Sequence, residues 1–324
     1  MQRRKFITTV GAALVATFCG GAIAQTEYPE RPIRWVLGYA AGGGTDTLIR
    51  GLAPRVGELL GTSVIIENRP GANGNLASEV VAKASPDGYT FLYNTSSVVV
   101  SPSLYSKVNF DPFRDFDPVS LVANIPLALA VHPSVPAQNL AELIAYAKAN
   151  PDKLSYASAG AGNVTHLSNL LFQKNVGISA VHIPYKGGGP AMNDLVGGHV
   201  DFYMDTVNTA IPFIQSGHIN VFAVTSRERL PQLPDIPTVA ELAVPGFEAG
   251  SWSGLMAPKG TPEVAINKMY EAIRQALSEP EVRERFAGSA AEVRGTTPQE
   301  YATFLKDEFD RWGGIIREAD VKLD

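Results

Sequence analysis

IRWVLGYAAGGGTDT, residues 33–47, decides how the rest of the chain is read. An apolar run ends at Gly38, glycines follow at Gly42, Gly43 and Gly44, and Thr45 and Asp46 open a segment with apolar residues at Leu48, Leu52, Val56 and Leu59. That is a strand, a glycine loop and an amphipathic helix. Glycine lets the backbone turn sharply and approach a ligand with no Cβ in the way, and the first N–H groups of a helix have no intrahelical partner. Such a place attracts anions. One loop alone reads equally well as a tight turn in which Thr45 or Asp46 merely caps the helix. Pro54, inside the helical pattern, predicts a bend rather than a break.

On the amino-terminal side, Arg3, Arg4 and Lys5 precede an apolar run over 6–18, and Ala22-Ile23-Ala24 places small residues before a cleavage site. Residues 1–24 therefore read as a secretory signal peptide, and the Arg3-Arg4-Lys5-Phe6-Ile7 run is also similar to a twin-arginine signal. Phe18, standing before Cys19, argues against a lipidated cysteine, so the expected mature chain contains none. The 300 residues left of 324 suffice for two domains with ordinary cores. Loss of three basic residues takes the formal charge from −5 to −8, since no acid lies in 1–24. That balance argues against nucleic acid or an anionic membrane as partner. No later apolar run approaches the roughly 20 residues that span a bilayer.

Beyond the first helix, residues 64–67 read as a strand, Asn68 to Gly71 as a turn, 76–84 as a helix and 89–93 as a strand running into Asn94, Thr95, Ser96 and Ser97. Ligands of open α/β sheets sit outside the carboxyl ends of strands, which makes Ser96 and Ser97 candidate donors, or members of a plain polar turn. The proline- and aspartate-rich segment 109–118 reads as an irregular connection before an apolar crossing at 127–131 into a second domain. There the opening pattern returns, with a strand over 154–157, the glycine loop 158–163 and a helix over 164–172 with Thr165 and His166 in its first turn. A dinucleotide reading of Gly160-Ala161-Gly162 fails, because Thr165 replaces the third glycine and no acid stands about 20 positions on. Gly42 to Asp46 lacks the lysine of a nucleoside-triphosphate loop. A carboxylate is the anion left, and His166 either donates to it or serves as a structural hydrogen-bonder. Asp205, ending a strand over 200–205, either faces the cleft or caps the next helix.

Enzyme chemistry finds no footing. The five histidines have no metal-ligand spacing, no HExxH or GxSxG occurs, and Gly250 to Gly254 carries tryptophan where a hydrolase needs its serine. No cofactor or metal is expected. A return to the first domain through 227–237 is followed by a strand over 253–257 and helices over 262–277 and 297–319, the last with Phe304, Phe309 and Trp312 inward.

YAAGGGTD (39–46), the Asn68-Arg69-Pro70-Gly71 turn, YASAGAGNVTHLS (156–168), HIPYKGGGPAMNDLVGGHVD (182–201), SGLMAPKGTP (253–262) and EFDRWGGIIREA (308–319) occur in order across the mature chain. Together they resemble the Bug, or TctC-like, periplasmic solute-binding receptors of tripartite tricarboxylate transporters. The resemblance implies a type II periplasmic-binding fold: two α/β domains with a ligand cleft between them, here 25–124 plus 226–324 and 125–225. It implies a monomer that delivers a small carboxylate to membrane permease subunits; a receptor reporting to a sensor protein would share its binding chemistry. The first loop, with Tyr39, Ala41, Gly42, Gly43 and Asp46, and the second, with Ser158, Gly160, Gly162, Asn163, Thr165 and His166, would grip the carboxylate. Ser96, Ser97, Asp205 and Thr206 complete the expected site. Gly38 and Tyr39 depart from the proline and phenylalanine usual in the family, which adds a hydroxyl at the cleft wall.

Overall fold

The computed structural model describes residues 28–323 apart from Ala40, Gly43 and Lys186. The signal-peptide reading and the Gly43 assignment lie outside the described residues. The chain opens with β1 (Ile33–Leu37), α1 (Gly44–Leu60), which continues through Pro54, and β2 (Val64–Asn68). A 3-10 turn at Ala72–Gly74 leads to α2 (Asn75–Ala82), β3 (Thr90–Thr95) and α3 (Ser97–Leu104). The long β4 (Phe116–Val131) is followed by α4 (Leu140–Ala149), β5 (Ser155–Ser158) and α5 (Val164–Val176). Next come β6 (Val181–Pro184), α6 (Gly188–Val196), β7 (Phe202–Thr206), α7 (Val207–Gln215), β8 (Asn220–Val224) and the short α8 (Val239–Leu242). The chain ends with β9 (Gly250–Pro258), α9 (Glu263–Ser278), α10 (Pro280–Gly288), β10 (Glu292–Val293) and α11 (Pro298–Glu318).

The strands form one path, β2-β1-β3-β9-β4-β7-β5-β6, with β10 and β8 also paired to β4. Each end of the path is a parallel trio fed by helices, β2-β1-β3 and β6-β5-β7, and the antiparallel β9 and β4 join them. β4 belongs to both halves: its first part pairs β9, and Leu127 to Val131 pair β7 and β8. The segment 109–118 is irregular up to Asp115, as expected, but the strand begins at Phe116, well before the crossing. Register shifts at Pro118/Ser120 and Leu121/Ala123 let the ladder absorb a proline.

Thr225 fixes the crossing. Its hydroxyl accepts from Leu127 N–H at 2.8 Å and donates to Ala249 O at 2.5 Å, tying both passages between the halves together. Gly250 is needed beside it, because a Cβ there would lie 2.9 Å from Ile125 O. Residues 226–249 do not return directly to the first half as the sequence suggested. Val224 N–H donates to Pro237 O at 2.9 Å, and Val239, Phe247 and Ala249 share a core with Leu129, Phe172 and Phe202. The proline-punctuated stretch folds back over the edge strand β8 and crosses only at Gly250. α3 was not anticipated, since Val98, Val99 and Val100 have no helical period; the helix exists because nearly the whole segment is buried.

Candidate functional site

Where the two halves face each other lies a cavity of about 390 Å³, walled by the carboxyl ends of β1, β3, β5 and β7 and the helix starts that follow them. Five helix amino termini reach its wall: α1 with Thr45, α3 with Ser97, α5 with Val164 and Thr165, α6 with Gly188 and Gly189, and α7 with Asn208 and Thr209. Three of them, α3, α6 and α7, carry no side-chain cap from their N-cap residues Ser96, Gly187 and Thr206. Their first N–H groups are therefore open to a ligand. No lysine, arginine or histidine lines the cavity among the described residues, so an anion is attracted by backbone dipoles and hydroxyls.

On the first half, Tyr39, Thr95 and Ser97 form a triangle of hydroxyls. The Tyr39 hydroxyl lies 2.7 Å from Thr95 Oγ1 and donates to Ser97 Oγ at 3.2 Å, and Thr95 and Ser97 are 3.2 Å apart. The hydroxyl that departs from the family pattern is thus built into the wall. Burial raises the Tyr39 pKa, while hydrogen bonding to Ser97 and Thr95 works against the rise, so the phenol stays neutral.

Behind this wall stands Asp46. Its Oδ2 accepts from Gly42 N–H at 2.9 Å and Arg50 Nε at 2.8 Å, and its Oδ1 from Asn68 Nδ2 at 2.8 Å. Asn68 Nδ2 also donates to Tyr39 O at 2.9 Å. Burial alone would raise the Asp46 pKa, but the bonds from Arg50, Gly42 and Asn68 outweigh it and hold it below the usual carboxylate value. Asp46 therefore shapes the loop and does not line the cavity; its charge is already neutralised by Arg50.

The second loop is braced in the same way. Gly162 N–H donates to His166 Nδ1 at 3.1 Å, Gly160 N–H donates to Ser158 Oγ at 3.2 Å, and Ser158 Oγ lies 2.7 Å from His182 Nε2. The His166 and His182 rings stack at 3.9 Å, with Tyr156 beside them. Burial pushes the His166 pKa down to about 3, with the nearby His182 adding to the shift, and burial pushes His182 down to about 4. Both rings are neutral near pH 7, so His166 accepts from its own loop and makes no contact in the cavity wall.

Of the expected site residues, Tyr39, Gly42, Ser96, Ser97, Gly162, Asn163, Thr165, Asp205 and Thr206 line the cavity. Ala41, Asp46, Ser158, Gly160 and His166 do not. The sequence reading missed Gly188 and Gly189, although a triple glycine before a helix is the signal that marked the first loop. It also missed Thr209, whose hydroxyl meets Asp205 Oδ2 at 2.5 Å from four positions on, an ordinary spacing in a first helical turn. Asn73 and Ser251 carried no local signal. No group of three or more histidine, cysteine, aspartate or glutamate residues suited to a metal exists among the described residues, and no helix among them is long and apolar enough to cross a membrane.

The profile of the tripartite tricarboxylate transporter receptor family, TctC, matches residues 48–321. The structure of the periplasmic binding protein BugD is similar to this chain at 38% identity and a TM-score of 0.80, covering 91% of this chain and all of that one. Rpa4515 of R. palustris, solved with adipate, aligns at 34% identity with a TM-score of 0.84 over 92% of this chain and 100% of its own. MatC from Rhodopseudomonas palustris, solved with malate, aligns at 34% identity with a TM-score of 0.78 over 89% of this chain and 100% of its own. A matched profile over most of the chain and the aligned two-domain folds of these binding proteins agree: the chain belongs to the TctC, or Bug, family of periplasmic solute-binding receptors.

Proposed function

We propose that this protein captures one small organic acid in the cavity between its halves, in the periplasm, and presents it to the permease of a tripartite tricarboxylate transporter. The observation that carries the reading is the convergence of five helix amino termini and a hydroxyl triangle on one cavity without a described cationic side chain in its wall. Such a wall stabilises a carboxylate without the strong, slowly released pairing an arginine would give. The adipate and malate bound by the two R. palustris relatives are small dicarboxylates, which supports the same ligand class here. The family is one of transporter receptors, which supports binding without turnover.

The test is a thermal-shift screen of protein freed from copurified ligand, against mono-, di- and tricarboxylates and acidic amino acids. A ligand at 100 times its dissociation constant should stabilise the protein by about 2.7 kcal/mol. A panel in which sugars or nucleotides raise the melting temperature and no acid does would overturn the reading.

A further inference from the structure

Beside the starts of α6 and α7, one side chain brings the opposite chemistry into the cavity. Asp205 at the end of β7 lines it, is 3% exposed, and is the one carboxylate among the described lining residues. Its Oδ1 accepts from Thr206 N–H at 2.7 Å and Thr206 Oγ1 at 3.4 Å, and its Oδ2 from Thr209 Oγ1 at 2.5 Å, all neutral donors and no cation. Asn208, three positions on, also lines the cavity, and its Oδ1 is buried and makes no hydrogen bond among the described residues. Gly188 leaves this corner open, since a Cβ there would stand 3.3 Å from Asp205 Oδ2 and 3.5 Å from the Tyr203 hydroxyl.

Unpartnered buried polar atoms cost roughly 1–3 kcal/mol each, and a buried carboxylate without a counter-charge costs more. A buried carboxylate at one glycine gap, with an unpartnered amide oxygen in the same cavity wall, offers acceptors in a cavity whose other polar groups are mainly donors. Building on the carboxylate-binding reading, we propose that this corner is an ammonium subsite and that the ligand is an amino acid, its carboxylate held at the hydroxyl triangle and helix starts and its ammonium between Asp205 and Asn208. A hydroxyl could fill the gap but would leave the Asp205 charge uncompensated. Burial raises the Asp205 pKa, against the bonds from Thr209 and Thr206, as expected of a carboxylate whose counter-ion arrives with the ligand.

Calorimetric titration of succinate, malate and aspartate, and of glutarate and glutamate and adipate and 2-aminoadipate, tests this with the ligand-free wild type, Asp205→Asn and Asn208→Leu. In wild type at least one amino acid should bind tenfold or more tighter than its unsubstituted diacid, and tighter than the hydroxy acid where one is compared. Asp205→Asn should cut that ratio at least tenfold, chiefly by weakening the amino acid, and Asn208→Leu should cut it severalfold with the charge intact. Diacids that bind while their amino counterparts bind no better would overturn the ammonium subsite and leave the carboxylate reading standing. So would malate gaining as much over succinate as aspartate does. If no acid in any set binds, the ammonium subsite falls, and the carboxylate reading stands or falls with the wider acid panel. Should Asp205→Asn not fold, judged by circular dichroism, the wild-type comparison and Asn208→Leu decide the matter alone.

Discussion

Asp46 and the histidine pair brace the two glycine loops without lining the cavity, and their variants have distinct signatures. Asp46→Ala strands the Gly42 N–H, the Arg50 guanidinium and the Asn68 amide that its two oxygens satisfy. Loss of such charge-assisted bonds should cost about 1–3 kcal/mol in urea denaturation. It should also weaken ligand tenfold or more by loosening the first loop; affinity within twofold of wild type would mean the loop holds its shape unaided. The stacked His166 and His182 predict a pH dependence with a definite sign. Their folded pKa values, about 3 and about 4, lie below the unfolded value of 6.5. The unfolded chain therefore takes up these protons first, and stability falls as pH drops from about 6.5 toward 4, by at most about 1.4 kcal/mol per pH unit for each histidine. His182→Phe, which keeps a ring in the stack, should flatten that slope between pH 6.5 and 5. An unchanged slope would assign the acid sensitivity to other groups. Both roles of His166 were open beforehand and the choice was not legible, because a histidine in a first helical turn has the same sequence signature whether it faces a ligand or its own loop. Burial and a second ring 16 positions on decide between them.

The strand, glycine loop and helix starts were readable because their causes are local. Glycine before a helical period, with Asp46 or Asn163 near the first turn, specifies the backbone without help from the rest of the chain. α3 and the full length of β4 were not readable, because burial between layers overrides a β-branched run in one and the bulges absorb Pro118 in the other. Gly42 shows the loop's requirement most directly. Its φ is +83°, and a Cβ on it would meet nothing within 4 Å. Valine there is thus strained by the backbone, at roughly 1–2 kcal/mol, at a residue that lines the cavity. Gly42→Val should abolish measurable binding and leave far-ultraviolet circular dichroism unchanged, whereas wild-type affinity would remove the first loop from the site. Ser97→Ala is milder: deleting one neutral donor to a bound carboxylate should weaken it by roughly tenfold to a hundredfold, corresponding to about 1.5–3 kcal/mol.

At the scale of the molecule, the cavity exists only while the halves face each other, and the contact that holds them so is apolar. Val164 and Leu167 of α5, in the second half, pack with Leu104, Trp252, Trp312 and Ile316 of the first. Lys174 and Glu318 add an exposed ion pair between α5 and α11, which contributes little to stability. The second glycine loop touches this contact directly: a Cβ on Gly162 would lie 2.5 Å from Leu104 Cδ1 and 2.6 Å from Leu323 Cδ1. Gly162 thus lines the cavity on one side and sets the approach of the halves on the other. Its φ of +72° adds a second reason for glycine, and the two can be separated. Gly162→Ala should weaken ligand at least tenfold and reduce the ligand-induced decrease in radius of gyration measured by small-angle scattering, because the methyl group wedges the halves apart. Leu104→Ala in the same chain makes room for that methyl group but leaves the backbone strain in place. Recovery of affinity and compaction in the double variant, relative to Gly162→Ala, is the expected result. If the double variant binds no better, the strained loop rather than the wedge limits binding, and Gly162 has no part in setting the approach of the two halves.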